Sequence, residues 1–251
     1  SYFHFARKHL DGSMMDDGGG PRKRPTSAVS ADCSVAEVSR TRALASELIE
    51  TSELPAVLAS AHANRILHLK GFGAGKLVSA EHDDAILADL RGCLGEGSVV
   101  VWDGDEFHPQ SFTRLLDRLL QSICLPAVAF YFRSAHDDFV ASWQERVRTY
   151  PASVHLVLLE DPPWLQSRGG VGCDDGWLWL GREALRRTGA RRVVALGGGG
   201  TAAEEAKAAV VAGEEAKWTI YKLPRMTSSD DFGALYSKAR EEGWANVTLL
   251  A

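Results

Sequence analysis

The sequence lacks several features that would assign a protein to a class at once. Its four cysteines include no C-x-x-C pair, so neither a zinc ribbon nor a thioredoxin-type redox motif is present. No apolar run reaches the roughly 18 residues needed to span a bilayer, and no charged-then-apolar signal sequence opens the chain. These absences predict a protein of the reducing cytoplasm with no membrane partner.

Clustered basic charge is also missing. The 251 residues carry 28 Lys and Arg against 33 Asp and Glu, a formal net charge of -5, whereas binding to a phosphate backbone requires concentrated Lys and Arg. The one basic run, Arg22-Lys23-Arg24, lies in a Gly/Pro-rich stretch and indicates a solvated linker, with nuclear targeting as the alternative. We therefore predict no nucleic-acid partner, and we assign no metal ligands and no resident cofactor.

The first residues do not have the composition of a folded domain. Ser1 to Ser13 resembles an expression leader ahead of Met14-Met15, and the stretch up to residue 34 is rich in Gly, Pro and charge. We predict that 1–34 is leader and disordered tail and that 35–251 forms a single Rossmann-like α/β domain. Apolar spacing predicts an amphipathic helix over Val35 to Ile49 and a short one over Leu54 to Ala63.

From Arg65 onward, short apolar runs rich in β-branched residues alternate with helical segments. The runs are continuously apolar, as expected for strands that helices cover on both faces, so they predict a doubly wound, mostly parallel sheet of six or seven strands in a three-layer sandwich. The predicted strands are Ile66 to Leu69, Ser98 to Trp102, Ala127 to Phe132, Val154 to Leu159, Arg192 to Leu196, Thr219 to Leu223 and Val247 to Leu250.

Ligands of such sheets bind beyond the carboxyl ends of the strands. That rule selects four segments as candidate ligand loops: Gly71 to Ser79, Asp103 to Ser111, Glu160 to Asp175 and Gly197 to Glu204.

The last of these segments carries the strongest signal. Val193 to Glu205 reads as a buried strand that passes through four glycines into a helix. Glycines let the backbone approach a ligand, and the free N–H groups at a helix start favour an anion. Thr201 with Glu204 three residues later could instead form a capping box that needs no ligand. We predict a phosphate-binding loop formed by Gly197, Gly198, Gly199, Gly200 and Thr201.

The first segment, Gly71-Phe72-Gly73-Ala74-Gly75-Lys76, has a related composition. It follows a predicted strand, so Gly73 is a candidate ligand contact and Lys76 could supply charge to a phosphate. The segment lacks the third glycine of the dinucleotide fingerprint and the hydroxyl residue of a P-loop. A flexible connection without ligand is the alternative.

The second segment begins with two carboxylates at alternate positions, Asp103 and Asp105, delivered by an apolar strand. Asp103 could accept ribose hydroxyls, as acids that end the second strand of nucleotide-binding sheets do, or simply cap a turn. The pattern also resembles the opening motif of haloacid-dehalogenase-like phosphatases. That resemblance implies Asp103 as nucleophile and Asp105 as acid/base, with Ser134 holding the phosphoryl group and Glu160 or Asp161 holding Mg²⁺.

The third segment is long and contains Pro162-Pro163 and Gly169-Gly170, a composition that suits a lid or specificity loop. Trp164, Trp177 and Trp179 could stack on a base. For Trp177 and Trp179, which lie two residues apart, we favour packing roles.

One motif resembles a known family. Gly197-Gly198-x-Gly200-Thr201-x-x-Glu204 is similar to the G-G-x-G-T-x-x-E motif of the Lonely Guy cytokinin-activating phosphoribohydrolases, also called "putative lysine decarboxylases", over about 70 C-terminal residues. The resemblance implies a nucleoside 5′-monophosphate as the phosphorylated ligand and hydrolysis of its N-glycosidic bond. It also implies that Arg182 and Glu204 flank that bond as catalytic residues, while the glycines hold the 5′-phosphate.

A non-catalytic ligand sensor or scaffold is the alternative from another class. Leu196 stands where the Lonely Guy family usually has Pro, and Glu183 stands beside Arg182 where a basic residue is expected. Fold alone does not decide between an enzyme and a binding module. The helices after the last strands could support a homodimer.

Overall fold

The computed structural model shows one eight-stranded sheet in which every pairing between neighbouring strands is parallel. The structure describes residues 48–71, 80–103, 112–135, 144, 146–151, 153–170, 174–196, 206, 208, 216–222, 241–243 and 245–249. The strands are β1 Leu48–Thr51, β2 Ile66–Gly71, β3 Val99–Asp103, β4 Ala127–Phe132, β5 Val154–Leu159, β6 Arg192–Leu196, β7 Lys217–Lys222 and β8 Ala245–Leu249.

The α-helices that cover the sheet include α1 Ala56–Ala59, α2 Asp83–Gly92, α3 Phe112–Ser122 and α4 Asp174–Thr188. In α3, apolar residues recur at helical spacing, so Phe112, Leu115 and Leu119 lie on one buried stripe. The start of α2 is tied to α3, because the buried carboxylate of Asp83 accepts two hydrogen bonds of 2.7 Å from Arg114. None of the helices among these described residues is long and apolar enough to cross a membrane.

Two apolar layers cover the sheet, one on each face. On the first face, α2 and α3 pack over side chains such as Leu67, Leu69 and Trp102. On the second face, α1 and α4 pack over the alternate positions, which include Val101, Val193 and Trp218. The central strands are buried on both faces, which explains why their sequences are apolar without alternation. The predicted doubly wound three-layer fold is confirmed.

The strand order is β1-β5-β4-β3-β2-β6-β7-β8. From β2, the chain adds β3, β4 and β5 on one side and then returns to place β6 on the other side of β2. The direction of winding therefore reverses between β2 and β6. In open α/β sheets a ligand crevice forms at the carboxyl end of such a switch point.

All seven predicted strands are present, and three of them have the predicted bounds. The eighth strand, β1, was not expected. Leu48 and Ile49 were predicted to end a helix, but they begin an edge strand that pairs with β5 through Leu48 opposite Val154. The apolar spacing of Leu48 and Ile49 is compatible with a helix or with a strand. Pairing with the edge of β5 selects the strand. The rest of that predicted helix lies outside the described residues.

The short helix predicted over Leu54 to Ala63 is present as α1 but is shorter than predicted, because it spans only Ala56–Ala59 between the caps Pro55 and Ser60. Residues 1–47 lie outside the described part of the chain, so the leader and tail stay predictions.

Candidate functional site

The switch point brings the two glycine-rich segments together at their starting residues. Gly71, the last residue of β2, lies opposite Leu196, the last residue of β6. The segment containing Gly73 follows the first, and the segment from Gly197 to Glu204 follows the second. Gly73, Gly197, Gly198, Gly199, Gly200, Thr201 and Glu204 themselves lie outside the described residues. Gly71 and Leu196, after which the two segments begin, are neighbours in the sheet. The sequence alone does not show this proximity.

Gly71 allows α3 to approach the end of β2. A Cβ atom at this position would lie 2.6 Å from Cβ of Phe112, the first residue of α3. Real Cβ atoms essentially never approach another atom that closely. Glycine is therefore required here for packing of the helix on the strand, independently of any ligand.

A buried ionic cluster lies on the second face directly below this edge. His68 and Lys70 project from β2, and Asp103 ends β3 opposite Lys70. Oδ1 of Asp103 accepts a hydrogen bond from Nε2 of His68, and Oδ2 accepts one of 3.1 Å from Nζ of Lys70. The three residues are at most 4 % exposed. We call these three residues the His68–Lys70–Asp103 cluster.

The pKa of Asp103 shows that the cluster holds a carboxylate anion. Burial alone would raise this pKa, but electrostatic attraction to Lys70 and then to His68, with the hydrogen bonds that both donate, lowers it to about 2. An ionised carboxylate only accepts hydrogen bonds, so Nε2 of His68 must carry the proton that it shares. Asp103 thereby fixes which nitrogen of His68 is protonated and how the ring is oriented.

Two polar atoms near the cluster remain unpaired. Nδ1 of His68 and Nε1 of Trp218 are buried and have no hydrogen-bond partner among the described residues. Trp218 lies on β7, and Nζ of Lys70 is 5.9 Å from the centroid of its ring, a distance compatible with a cation–π interaction. These polar atoms lie on β2, β3 and β7 of the second face, while the intervening strand β6 contributes the apolar side chains of Val193 and Ala195 there.

Asp103 was predicted to contact ribose or to act as a nucleophile. In the structure one of its oxygens accepts a hydrogen bond from His68 and the other from Lys70, and the residue is 2 % exposed. It could contact a ligand only if His68 or Lys70 moved away from it. A nucleophilic carboxylate needs an oxygen that the substrate can reach. Asp103 is arranged instead like a carboxylate whose role is to orient an imidazole.

The other phosphatase candidates lie at the ends of neighbouring strands. Ser134 follows β4 and is exposed, and its backbone N–H donates a hydrogen bond of 3.4 Å to Asp161, which follows β5. Glu160 accepts a hydrogen bond from Arg133. Asp105 lies outside the described residues, and within the part that is described no group of three or more His, Cys, Asp or Glu side chains is placed to hold a metal ion.

Arg182, the second predicted catalytic residue, lies on α4 and is exposed. It lines an open groove of about 550 Å³, shared with Trp164 and Trp179. Trp179 stacks on Phe132 with ring centroids 5.8 Å apart, and Trp177 packs against Tyr131 at 6.0 Å. The packing roles predicted for Trp177 and Trp179 are thus present in the structure, and Trp179 also lines the groove.

His68, Lys70 and Trp218 were not among the predicted site residues. A signal for the first two was present in the sequence, since Ile66-Leu67-His68-Leu69-Lys70 places two basic side chains at alternate positions of an apolar run. Alternate positions project to one face of a strand, the face that Asp103 shares. Recognising the cluster required the knowledge that β2 and β3 are neighbours.

Comparisons with models of protein families, with curated proteins and with solved structures find no match to this chain.

Proposed function

We propose that this protein binds a small phosphorylated ligand, of which a nucleoside 5′-monophosphate is the favoured class, at Gly197 to Thr201. The observation that supports the proposal is the strand order, because it makes Gly71 and Leu196 neighbours at the switch point between β2 and β6. Two glycine-rich segments leave the sheet from those two residues. A crevice at such a point, with backbone N–H groups available, suits an anionic ligand.

The His68–Lys70–Asp103 cluster supports the same location. Ion pairs buried in a strand are costly to desolvate and contribute little net stability. Stability alone therefore does not explain why this cluster lies at the edge of the sheet where we propose that the ligand binds. Within the proposal, the cluster fixes the position of the strand end from which the Gly71 segment departs. Lys70 keeps a positive charge close to that edge.

Binding is tested by thermal denaturation of the wild type and of Gly199→Val with ribose 5-phosphate and with AMP. A valine side chain at Gly199 would occupy space next to the backbone that the phosphate needs. At 100 times its dissociation constant a ligand stabilises the wild type by about 2.7 kcal/mol, so its melting temperature should rise. Gly199→Val should show no rise.

The matched control is Gly92→Val, because a Cβ atom at Gly92 meets no atom within 4 Å. This variant should respond to ligand as the wild type does. Equal responses of Gly199→Val and the wild type would place the ligand elsewhere, and no response of the wild type to any phosphorylated compound would contradict the proposal.

Hydrolysis of the N-glycosidic bond is the enzymatic form of this proposal. In it, Glu204 stabilises positive charge that develops at the anomeric carbon or orients the attacking water. The resemblance implies that Arg182 balances phosphate or ribose charge, a role that requires the ligand to reach the groove on α4 that Arg182 lines. The support is the motif that contains Glu204 and its position after β6 at the switch point.

Glu204→Gln separates catalysis from binding. Because a positioned acid–base group typically contributes 10²- to 10⁴-fold to a rate, release of free base from a nucleoside monophosphate should fall at least about 100-fold while the ligand-induced thermal shift persists. The measurement is chromatography of free base with and without EDTA. Turnover that Glu204→Gln leaves unchanged would exclude this role, and absence of turnover in the wild type with binding intact would favour a sensor.

A Mg²⁺-dependent phosphatase is the second candidate. The specific observation in its favour is that Asp103 ends β3 while Ser134 and Asp161 follow the adjacent strands β4 and β5, at the same edge of the sheet. The pairing of Asp103 with His68 and Lys70 argues against it. Release of inorganic phosphate that EDTA abolishes would select the phosphatase over the hydrolase.

A further inference from the structure

The outer side of α4 combines apolar and cationic side chains in one groove. Leu178 and Trp179 are partly exposed and precede Arg182 and Arg186 on the same side of the helix, because residues three, four, seven and eight positions apart share a helix face. Trp164 and Arg168, from the chain segment after β5, form the opposite wall. Along the helix, Leu178 and Trp179 thus lie between the Arg168–Asp175 pair at one end and Arg182 with Arg186 at the other.

The acidic residues in the groove are already paired with arginines. Asp175 accepts a hydrogen bond of 2.7 Å from Arg168 at one end. Glu183 accepts hydrogen bonds of 2.6 and 2.8 Å from Arg186 and one of 2.7 Å from Arg187. These arginines hold the carboxylate of Glu183 ionised and lower its pKa to about 2, against the effect of its burial.

Arg182 is left without such a partner. It forms no hydrogen bond or ion pair with any residue in the described part of the chain. The residues three and four positions away on its own helix are Leu178, Trp179, Leu185 and Arg186, none of them acidic. A like charge at the i+4 position is unfavourable on an isolated helix, so the Arg182–Arg186 pair gains from a bound anion.

We propose that the groove between α4 and the segment 164–168 docks an acidic peptide segment of a partner protein, with one large apolar side chain seated against Leu178, Trp164 and Trp179. The argument is charge complementarity: the groove is lined by three arginines and two carboxylates, and because each carboxylate is already paired with an arginine, Arg182 is the cation that an acidic side chain of the partner would meet. Tryptophan, here partly buried in Trp164 and Trp179, and arginine are residue types that dominate binding at protein interfaces, and arginine clusters recognise acidic motifs.

The shape of the groove favours a peptide over a small ligand. From Asp175 to Arg186 the helix extends about 16 Å, at roughly 1.5 Å per residue, which matches about five residues of extended chain at roughly 3.3 Å each. The arginines at its ends are open to solvent, with the side chain of Arg186 67 % exposed and that of Arg168 64 % exposed. Sites for small ligands are usually concave enough to bury most of the ligand.

The test is selection of random 12-residue peptides displayed on phage against the full chain, followed by fluorescence anisotropy of the best peptide labelled with fluorescein. We expect enriched peptides with several Asp or Glu and one aromatic or large aliphatic residue. Arg182→Glu should weaken the best peptide at least tenfold, and its affinity should fall as salt is raised. Leu178→Ser should weaken binding without changing the salt dependence.

The matched control is Arg148→Glu, which makes the same charge change at an exposed arginine outside the groove and should leave the affinity within twofold of the wild type. Enrichment of peptides without acidic residues, no enrichment at all, or equal losses in Arg148→Glu and Arg182→Glu would overturn the proposal. So would binding of AMP that Arg182→Glu abolishes when no peptide binds, since the groove would then be a nucleotide site. The outcome does not depend on the Gly199→Val experiment.

Discussion

Replacing Asp103 with Asn is expected to destabilise the protein by about 3 to 5 kcal/mol, the cost of removing one partner from a buried ion pair. The substitution keeps the shape of the side chain but removes the negative charge that faces Lys70 and His68. Lys70, 4 % exposed, would then hold its charge without the compensation of Asp103 or give up its proton. Urea denaturation of the two proteins measures the difference in unfolding free energy.

Two variants make this result specific to the cluster. Asp84→Asn removes a carboxylate that is 90 % exposed and paired with Arg118, and it should cost under about 1 kcal/mol. Adding Lys70→Met to Asp103→Asn should recover part of the loss, because an apolar group of similar size needs no counter-charge. A cost for Asp103→Asn as small as that for Asp84→Asn would contradict the account of the cluster.

The same ion pairs predict an acid dependence. The pKa of Asp103 is about 2 in the folded protein and about 3.9 in an unfolded chain, so the stabilisation is present above the unfolded value and is lost as pH falls towards 2. The difference corresponds to roughly 2 to 3 kcal/mol. Between pH 5 and 2 the stability of the wild type should fall more steeply than that of Asp103→Asn, and parallel curves would contradict the prediction.

Gly71→Ala is expected to destabilise the protein by about 1 to 3 kcal/mol, the range for inserting atoms into a packed core. The added methyl group would lie 2.6 Å from Cβ of Phe112, which belongs to the start of α3 and cannot swing away as the tip of a flexible side chain could. Either α3 or the end of β2 must shift. Differential scanning calorimetry should show a lower melting temperature.

Gly92→Ala is the matched control, because it adds the same methyl group at the end of α2 where no atom lies within 4 Å. Alanine is the better helix former, so this variant should be as stable as the wild type or up to about 1 kcal/mol more stable. Equal effects of the two substitutions would show that the contact with Phe112 does not determine the identity of residue 71.

The sequence predicted the layers of this fold because the central strands can be recognised from short, local runs of apolar residues. Ala127 to Phe132 and Val154 to Leu159 are continuously apolar, and their observed bounds match the predicted ones. β1 has no such local signal. Leu48 and Ile49 suit a helix as well as a strand, and pairing with β5 decides between the two structures. That pairing is a contact between residues more than 100 positions apart, which periodicity cannot detect.

The candidate site was predictable only in part, for a similar reason. The glycines at 197–200 identify a loop that suits an anion, but their proximity to the segment after Gly71 depends on the strand order. Asp103 was predicted as a site residue from its position at the end of a strand. Its partners His68 and Lys70 lie on a different strand. Arg182 was predicted from the resemblance to a family. The groove that contains it was not predicted, because it depends on how α4 packs.

The most direct test of ligand binding at the switch point is hydrogen–deuterium exchange, followed by mass spectrometry, with and without a saturating nucleoside monophosphate. A ligand held by backbone N–H groups should slow exchange in peptides covering 71–79 and 197–204, the segments that follow Gly71 and Leu196. Peptides from β8 serve as the internal reference and should not change. Protection in both segments is the predicted result. Protection confined to the groove on α4, or no protection in a protein that binds the nucleotide, would contradict the assignment.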